Sequence, residues 1–185
     1  MQLEAKALGK LHGIEPDDED YFKPPKRNRE DIKRSRSDCV RDEHFSKTNN
    51  DELIKFCRGT GLRRRELGEL RGKDLVRCEQ IAADAAQLEQ IPEEERAPSV
   101  TKRLEMLRDA MLFAQEWFVH VRNGKGGRER LSPIIGKNAA QIVERIADTP
   151  AEEKVWQHIH TSADIHAYRA EYATAIYKAY ARPIG

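Results

Sequence analysis

Four side chains in this sequence have the types and the order to hold a charged ester: Arg63, Lys125, His166 and Arg169. Two guanidiniums, an ammonium and an imidazole suit a phosphodiester, whose negative charge grows in the transition state and is met by charge-assisted hydrogen bonds. Arg63 stands in Gly59-Thr60-Gly61-Leu62-Arg63-Arg64-Arg65-Glu66-Leu67, Lys125 in Asn123-Gly124-Lys125-Gly126-Gly127, and the other two in His166-Ala167-Tyr168-Arg169. Singly, each has a bland reading. An arginine at a turn-to-helix junction serves as a cap or a solvated charge, and a turn lysine is an exposed charge. It is the set of three segments that points to phosphate.

The elements that must position these groups can be read from periodicity. Thr48 and Asp51 offer helix caps, and Leu53, Ile54 and Cys57 form an apolar stripe that ends near Arg58 and Gly59. Gly61 permits a tight turn. A second helix follows with Leu67 and Leu70 inward, which leaves Arg63 on its first turn beside unsatisfied backbone N–H groups that favour an anion. Arg64 and Arg65 then point elsewhere, as surface charge or flanking phosphate contacts. Ile81, Ala85 and Leu88, then, beyond Pro92, Val100, Leu104, Leu107, Met111 and Ala114, recur at helical spacing. They predict two amphipathic helices in a hairpin spanning about residues 79–116, either a structural elaboration or a surface for a partner.

Residues 118–122 alternate apolar and polar side chains, and residues 131–135 read as the return strand of a hairpin across the glycine-rich turn that carries Lys125. A helix is expected over residues 139–147 with Val143 and Ile146 inward. Another, short one opens at Pro150 and contains Val155, Trp156 and Ile159. Ser162 or Asp164 caps a long final helix, on which His166 and Arg169, three apart, share one side. Tyr168, Tyr172, Tyr177 and Tyr180 lie on that helix and are expected to pack rather than react. The fold class is therefore α+β, mainly helical, with one small antiparallel β-hairpin.

At 185 residues, the chain is long enough for one domain with a core and an appendage. It is 38% hydrophobic and 35% charged, with a mean hydropathy of −0.80, and no window approaches a membrane span. Cys39, Cys57 and Cys78 are odd in number and scattered, which fits a reducing cytosol, hence a cytoplasmic location. His158 and His160 lack nearby ligand partners, so no metal is expected. The net charge of +1 hides an uneven distribution, since residues 23–36 hold seven basic side chains against two acidic ones. This stretch is either a solvated linker or an arm that tracks phosphates. Lys26, Arg27 and Arg29 within it, together with Arg64, Arg65 and Arg128, are the candidate phosphate contacts outside the central set. Residues 1–46 as a whole read as a linker or basic arm, with a possible helical turn or two near Leu8 and Leu11, and residues 47–185 as the globular part.

Thr60-Gly61-Leu62-Arg63-x-x-Glu66-Leu67, the Gly124-Lys125-Gly126 hairpin and His166-x-x-Arg169, in this order, resemble the tyrosine recombinase (phage integrase) family over about residues 50–182. The resemblance implies site-specific DNA recombination: strand cleavage and rejoining with no metal, ATP or other cofactor. Arg63 and Arg169 would hold the scissile phosphate, Lys125 would protonate the 5′-oxygen and His166 would assist proton transfer. Double-stranded DNA is the implied partner, and further recombinase protomers are possible. The family's next motif box and its nucleophilic tyrosine do not follow Arg169, so the chain reads as a partial catalytic domain, truncated at both ends and expected to bind DNA without recombining it. The alternatives are a non-catalytic DNA-binding remnant of a mobile-element integrase and a helical protein-interaction module built on residues 79–116.

Overall fold

The computed structural model describes residues 45–180. Lys26, Arg27, Arg29 and the expected arm lie outside the described residues. Six α-helices and a three-stranded antiparallel sheet make up the described part: α1 (Asp51–Thr60), α2 (Arg64–Glu69), β1 (Leu75–Arg77), α3 (Cys78–Glu89), α4 (Pro98–Met111), β2 (Trp117–Val121), β3 (Arg130–Pro133), α5 (Ala139–Ala147) and α6 (Ile165–Tyr180). The class is α+β and mainly helical.

The hairpin of β2 and β3 pairs Phe118 with Pro133 and Val121 with Arg130. A third strand, β1, adds to the other edge of β2 with Leu75 opposite Val119, making the sheet order β1-β2-β3. Three residues cannot display a period, so no local pattern announces β1. β2 is central and is buried from Phe118 through Val121, because both of its faces are covered. Val119 and Val121 belong to the main core with Phe56, Leu62, Leu67, Ile146 and Trp156. Phe118 turns the other way, into a second core with Ile81, Ala85, Leu104, Leu107 and Ala110. The pair α3 and α4 thus packs on one face of the sheet, and α1, α2, α5 and α6 gather on the other. Within α4 the buried row is Leu104, Leu107 and Ala110, while Met111 is exposed.

Residues 150–160, expected to hold a short helix, form turns and extended backbone instead. Their main chain is used elsewhere. Gly72 N–H donates to Glu153 O, Lys73 N–H to Ala151 O, and Val155 N–H to Leu70 O, with an antiparallel bridge between Arg71 and Lys154. A helix would need those groups for itself. Val155 and Trp156 reach the main core, with Ile159 partly buried against it, from a backbone that is not helical. In α5, Ile142 and Ile146 are buried and Val143 is half-buried.

Candidate functional site: a guanidinium cluster around Glu66

Gly61 ends α1 in the left-handed region, with φ of 61°, and its N–H closes the helix on Cys57 O. The ring of Tyr172 lies directly against its Cα, where a Cβ would overlap it. Only glycine meets both demands. This turn delivers Arg63 as the N-cap of α2, with extended backbone. At the third helical position Glu66 turns its carboxylate back, accepting from the Arg63 N–H at 2.8 Å and from Arg63 Nη1 at 2.9 Å. The first of these bonds satisfies the N-cap N–H, one half of a capping box, and the second adds an ion pair; both run from Arg63 to Glu66.

Glu66 is also held from the sheet. Arg130, which opens β3, donates Nη1 to Glu66 Oε1 at 2.8 Å and Nη2 to Oε2 at 2.7 Å. The Glu66 side chain is only 3% exposed, against 35% for Arg63 and 29% for Arg130. Burial pushes this carboxyl up, but the hydrogen bonds from Arg130 and Arg63 outweigh it and hold the pKa at about 2. Arg169 joins from the second turn of α6, donating Nη1 to Gly61 O. Its pKa is lowered, first by burial and then by the like charges of Arg63 and Arg130, with Glu66 acting in the opposite sense. Two guanidiniums are therefore hydrogen-bonded to one ionised carboxylate, and a third, Arg169, lies close enough to feel all three charges. The surplus positive charge is partly exposed through Arg63 and suits an anion with several acceptor oxygens.

Arg63 and Arg169 are thus brought together. His166 is exposed and, among the described residues, has no hydrogen-bond or ion-pair partner; α6 starts with Asp164 Oδ1 accepting from the Ala167 N–H at 3.1 Å. Helical spacing places His166 on the same flank as Arg169. Lys125 is exposed in the turn closed by Gly124 N–H to Arg128 O and Gly127 N–H to Gly124 O, both at 2.9 Å. Gly126 and Gly127, at φ of 75° and 70°, need the left-handed region. Gly124 is buried against the cluster. Lys125 follows it immediately.

The flanking cations divide. Arg64, expected at the surface or on a flanking phosphate, is spent internally: its guanidinium donates to the carbonyls of His160, Thr161 and Ala163, fixing the segment that leads into α6. Arg65 is exposed and pairs with Glu69 at 2.7 Å. Arg128 is exposed. Sequence reasoning missed Arg130, whose signal is weak: a basic residue at the start of the return strand.

Three of the four tyrosines of α6 serve packing. Tyr172 donates its hydroxyl to Pro133 O at 2.8 Å and lies 3.2 Å from Ser132 Oγ, and burial raises its pKa against the pull of Ser132, Arg130 and Arg169. The Tyr180 hydroxyl accepts from Gln115 at 2.8 Å. Tyr168 is buried, with the Arg58 guanidinium 5.4 Å from its ring centre, and Tyr177 is exposed. Among the described residues no cluster of histidine, cysteine, aspartate or glutamate could hold a metal ion, and no helix is long and apolar enough to cross a membrane. No protein-family model matches the chain, and neither does any curated protein or solved structure.

Proposed function

We propose that the cluster binds the phosphodiester backbone of duplex DNA, in the manner of the tyrosine recombinases that the three sequence motifs resemble. The observation that carries this reading is that Arg169 reaches across 108 residues to Gly61 O, beside Arg63 whose charge it feels, around a carboxylate too small in charge to balance them and Arg130. Cations crowded in this way are stabilised by a bound anion, and guanidinium forks match the non-bridging oxygens of a phosphate better than an ammonium does. In this reading Arg63 and Arg169 hold those oxygens. Lys125 protonates a 5′-oxygen leaving group from its exposed place in the turn, and His166 assists proton transfer at the flank of α6. The Arg63 and Arg169 side chains act as the clamp, independent of where a nucleophile comes from.

The test is equilibrium binding of a labelled duplex across a salt series. Binding at low salt is expected to fall steeply as salt rises. Arg63→Ala and Arg169→Ala are each expected to weaken it by roughly 1.5–3 kcal/mol, the range for a charge-assisted contact. Affinity that ignores both substitutions would remove the reading.

A second reading, a protein-interaction surface, is favoured by a mostly apolar cleft of about 550 Å³ at the end of the helical pair, lined among others by Ile81, Met111, Phe113 and Phe118. It predicts little DNA affinity at any salt concentration.

A further inference from the structure

Both strands that carry the lysine turn end in an arginine seated on a buried carboxylate. Arg122, just after β2, donates Nε to Asp74 Oδ1 at 2.9 Å. Arg130, at the start of β3, grips both oxygens of Glu66. The two anchors differ in what they touch. Asp74 otherwise accepts from the Arg71 N–H, closing a local turn, whereas Glu66 is the carboxylate that also holds Arg63. Gly124 completes the arrangement: a Cβ on it would meet Arg128 O of its own turn at 2.5 Å, and beyond that Arg130 Nη1 at 3.2 Å and Glu66 Oε1 at 3.5 Å. Gly124 therefore lies beside the Glu66–Arg130 pair as well as against its own turn, and Lys125 is the next residue.

We propose that Arg130 is a positioning residue of the phosphate clamp: by fixing both oxygens of Glu66 and supporting Gly124, it sets where Lys125 is presented relative to Arg63. This rests on the phosphodiester reading of the site. Arg130 spends one N–H of each terminal nitrogen on Glu66, and this fork, rather than a phosphate contact, is the role assigned to it. The role needs a planar fork. A lysine at this position would neutralise Glu66 but present one mobile point charge, leaving one oxygen unfixed and the underside of Gly124 unsupported.

The experiment maps lysine acetylation by mass spectrometry on the full chain, with and without saturating duplex DNA, beside the salt dependence of binding. In the wild type, DNA is expected to shield Lys125. Arg130→Lys keeps a cation opposite the buried carboxylate and with it the fold, which circular dichroism checks. It is expected to retain the salt slope, since no phosphate contact is lost, while shielding of Lys125 at saturating DNA falls by roughly an order of magnitude. Arg130→Ala is expected to lose shielding equally, with a lower melting temperature. Undiminished shielding of Lys125 in either folded variant overturns the proposal. So does a salt slope reduced by about one in Arg130→Ala, which marks a direct phosphate contact. A wild-type chain that does not bind DNA at low salt sinks the phosphodiester reading and this inference together, whereas failure confined to the variants leaves that reading standing.

Discussion

Glu66 is the residue at which burial and charge act most strongly against each other. Desolvation raises its pKa, the arginine hydrogen bonds lower it, and the result is about 2 in place of 4.5. Between these two values the unfolded chain binds more protons than the folded one, so stability rises with pH there. The stabilisation is complete above 4.5 and is lost as pH falls through about 2. Its size is about 3 kcal/mol at most. Glu66→Gln is therefore expected to be less stable above that window and to show a flatter acid limb within it, read from urea midpoints; an acid limb as steep as the wild type's would refute the assignment. Cys57 gives a second residue-scale expectation. Burial pushes its thiol up to about 12, against the lowering effect of Arg64, so the nucleophilic thiolate is scarce. Alkylation of the folded protein should mark half-buried Cys78 well before Cys57, and equal labelling would count against this packing.

At the scale of elements, the turn between α1 and α2 is joined to α6 and β3 through Gly61 and Tyr172. An alanine at position 61 must adopt φ near 61° and also displace the Tyr172 ring. Gly61→Ala is expected to cost roughly 1–3 kcal/mol for the backbone alone and to loosen α6, which carries Arg169. Tyr172→Phe loses the bond to Pro133 O and is expected to cost about 1 kcal/mol. Thermal melts would check both, and a Gly61→Ala protein as stable as the wild type would contradict the geometry. Such joints mark the limit of what sequence shows. α3, α4 and the hairpin strands are legible because their apolar periods are local, and Asp164 is legible as a cap because it sits beside the helix it starts. β1 is too short for a period, and the backbone of residues 150–155 takes its partners from residues 70–73. The site divides in the same way. Its arginines stand out by motif, but the Glu66–Arg130 pair spans 64 residues, and Arg64, adjacent to Arg63, is drawn into carbonyl contacts 96 to 99 residues away. Nothing in the run of three arginines distinguishes a clamp from a brace; only the packing of α6 on that turn does.

For the molecule as a whole, a net charge of +1 cannot by itself draw the chain to DNA, so any affinity must come from where the charges stand. Arg65, Arg71, Arg77, Arg108 and Arg145 each pair with a carboxylate, and Arg64 is spent on carbonyls. In the proposed reading the contacts come from Arg63 and Arg169, each of which makes one internal hydrogen bond through its side chain and keeps other N–H groups, and from exposed Lys125 and Arg128. Four phosphate contacts correspond to a slope of about −3 to −4 in log affinity against log salt. A steeper slope that falls when Lys26, Arg27 and Arg29 are changed together to alanine would assign the excess to those residues. Covalent attachment is a separate matter. The hydroxyls of Tyr172 and Tyr180 are hydrogen-bonded and Tyr168 is buried, while exposed Tyr177 is eight residues beyond Arg169 along the helix, a rise of roughly 12 Å. Nicked suicide duplexes, which trap phosphotyrosyl products, are therefore expected to bind reversibly and leave no adduct on α6. An adduct mapped to Tyr168, Tyr172, Tyr177 or Tyr180 would show that this helix supplies its own nucleophile, and that the packing of its tyrosines is a resting arrangement rather than their role.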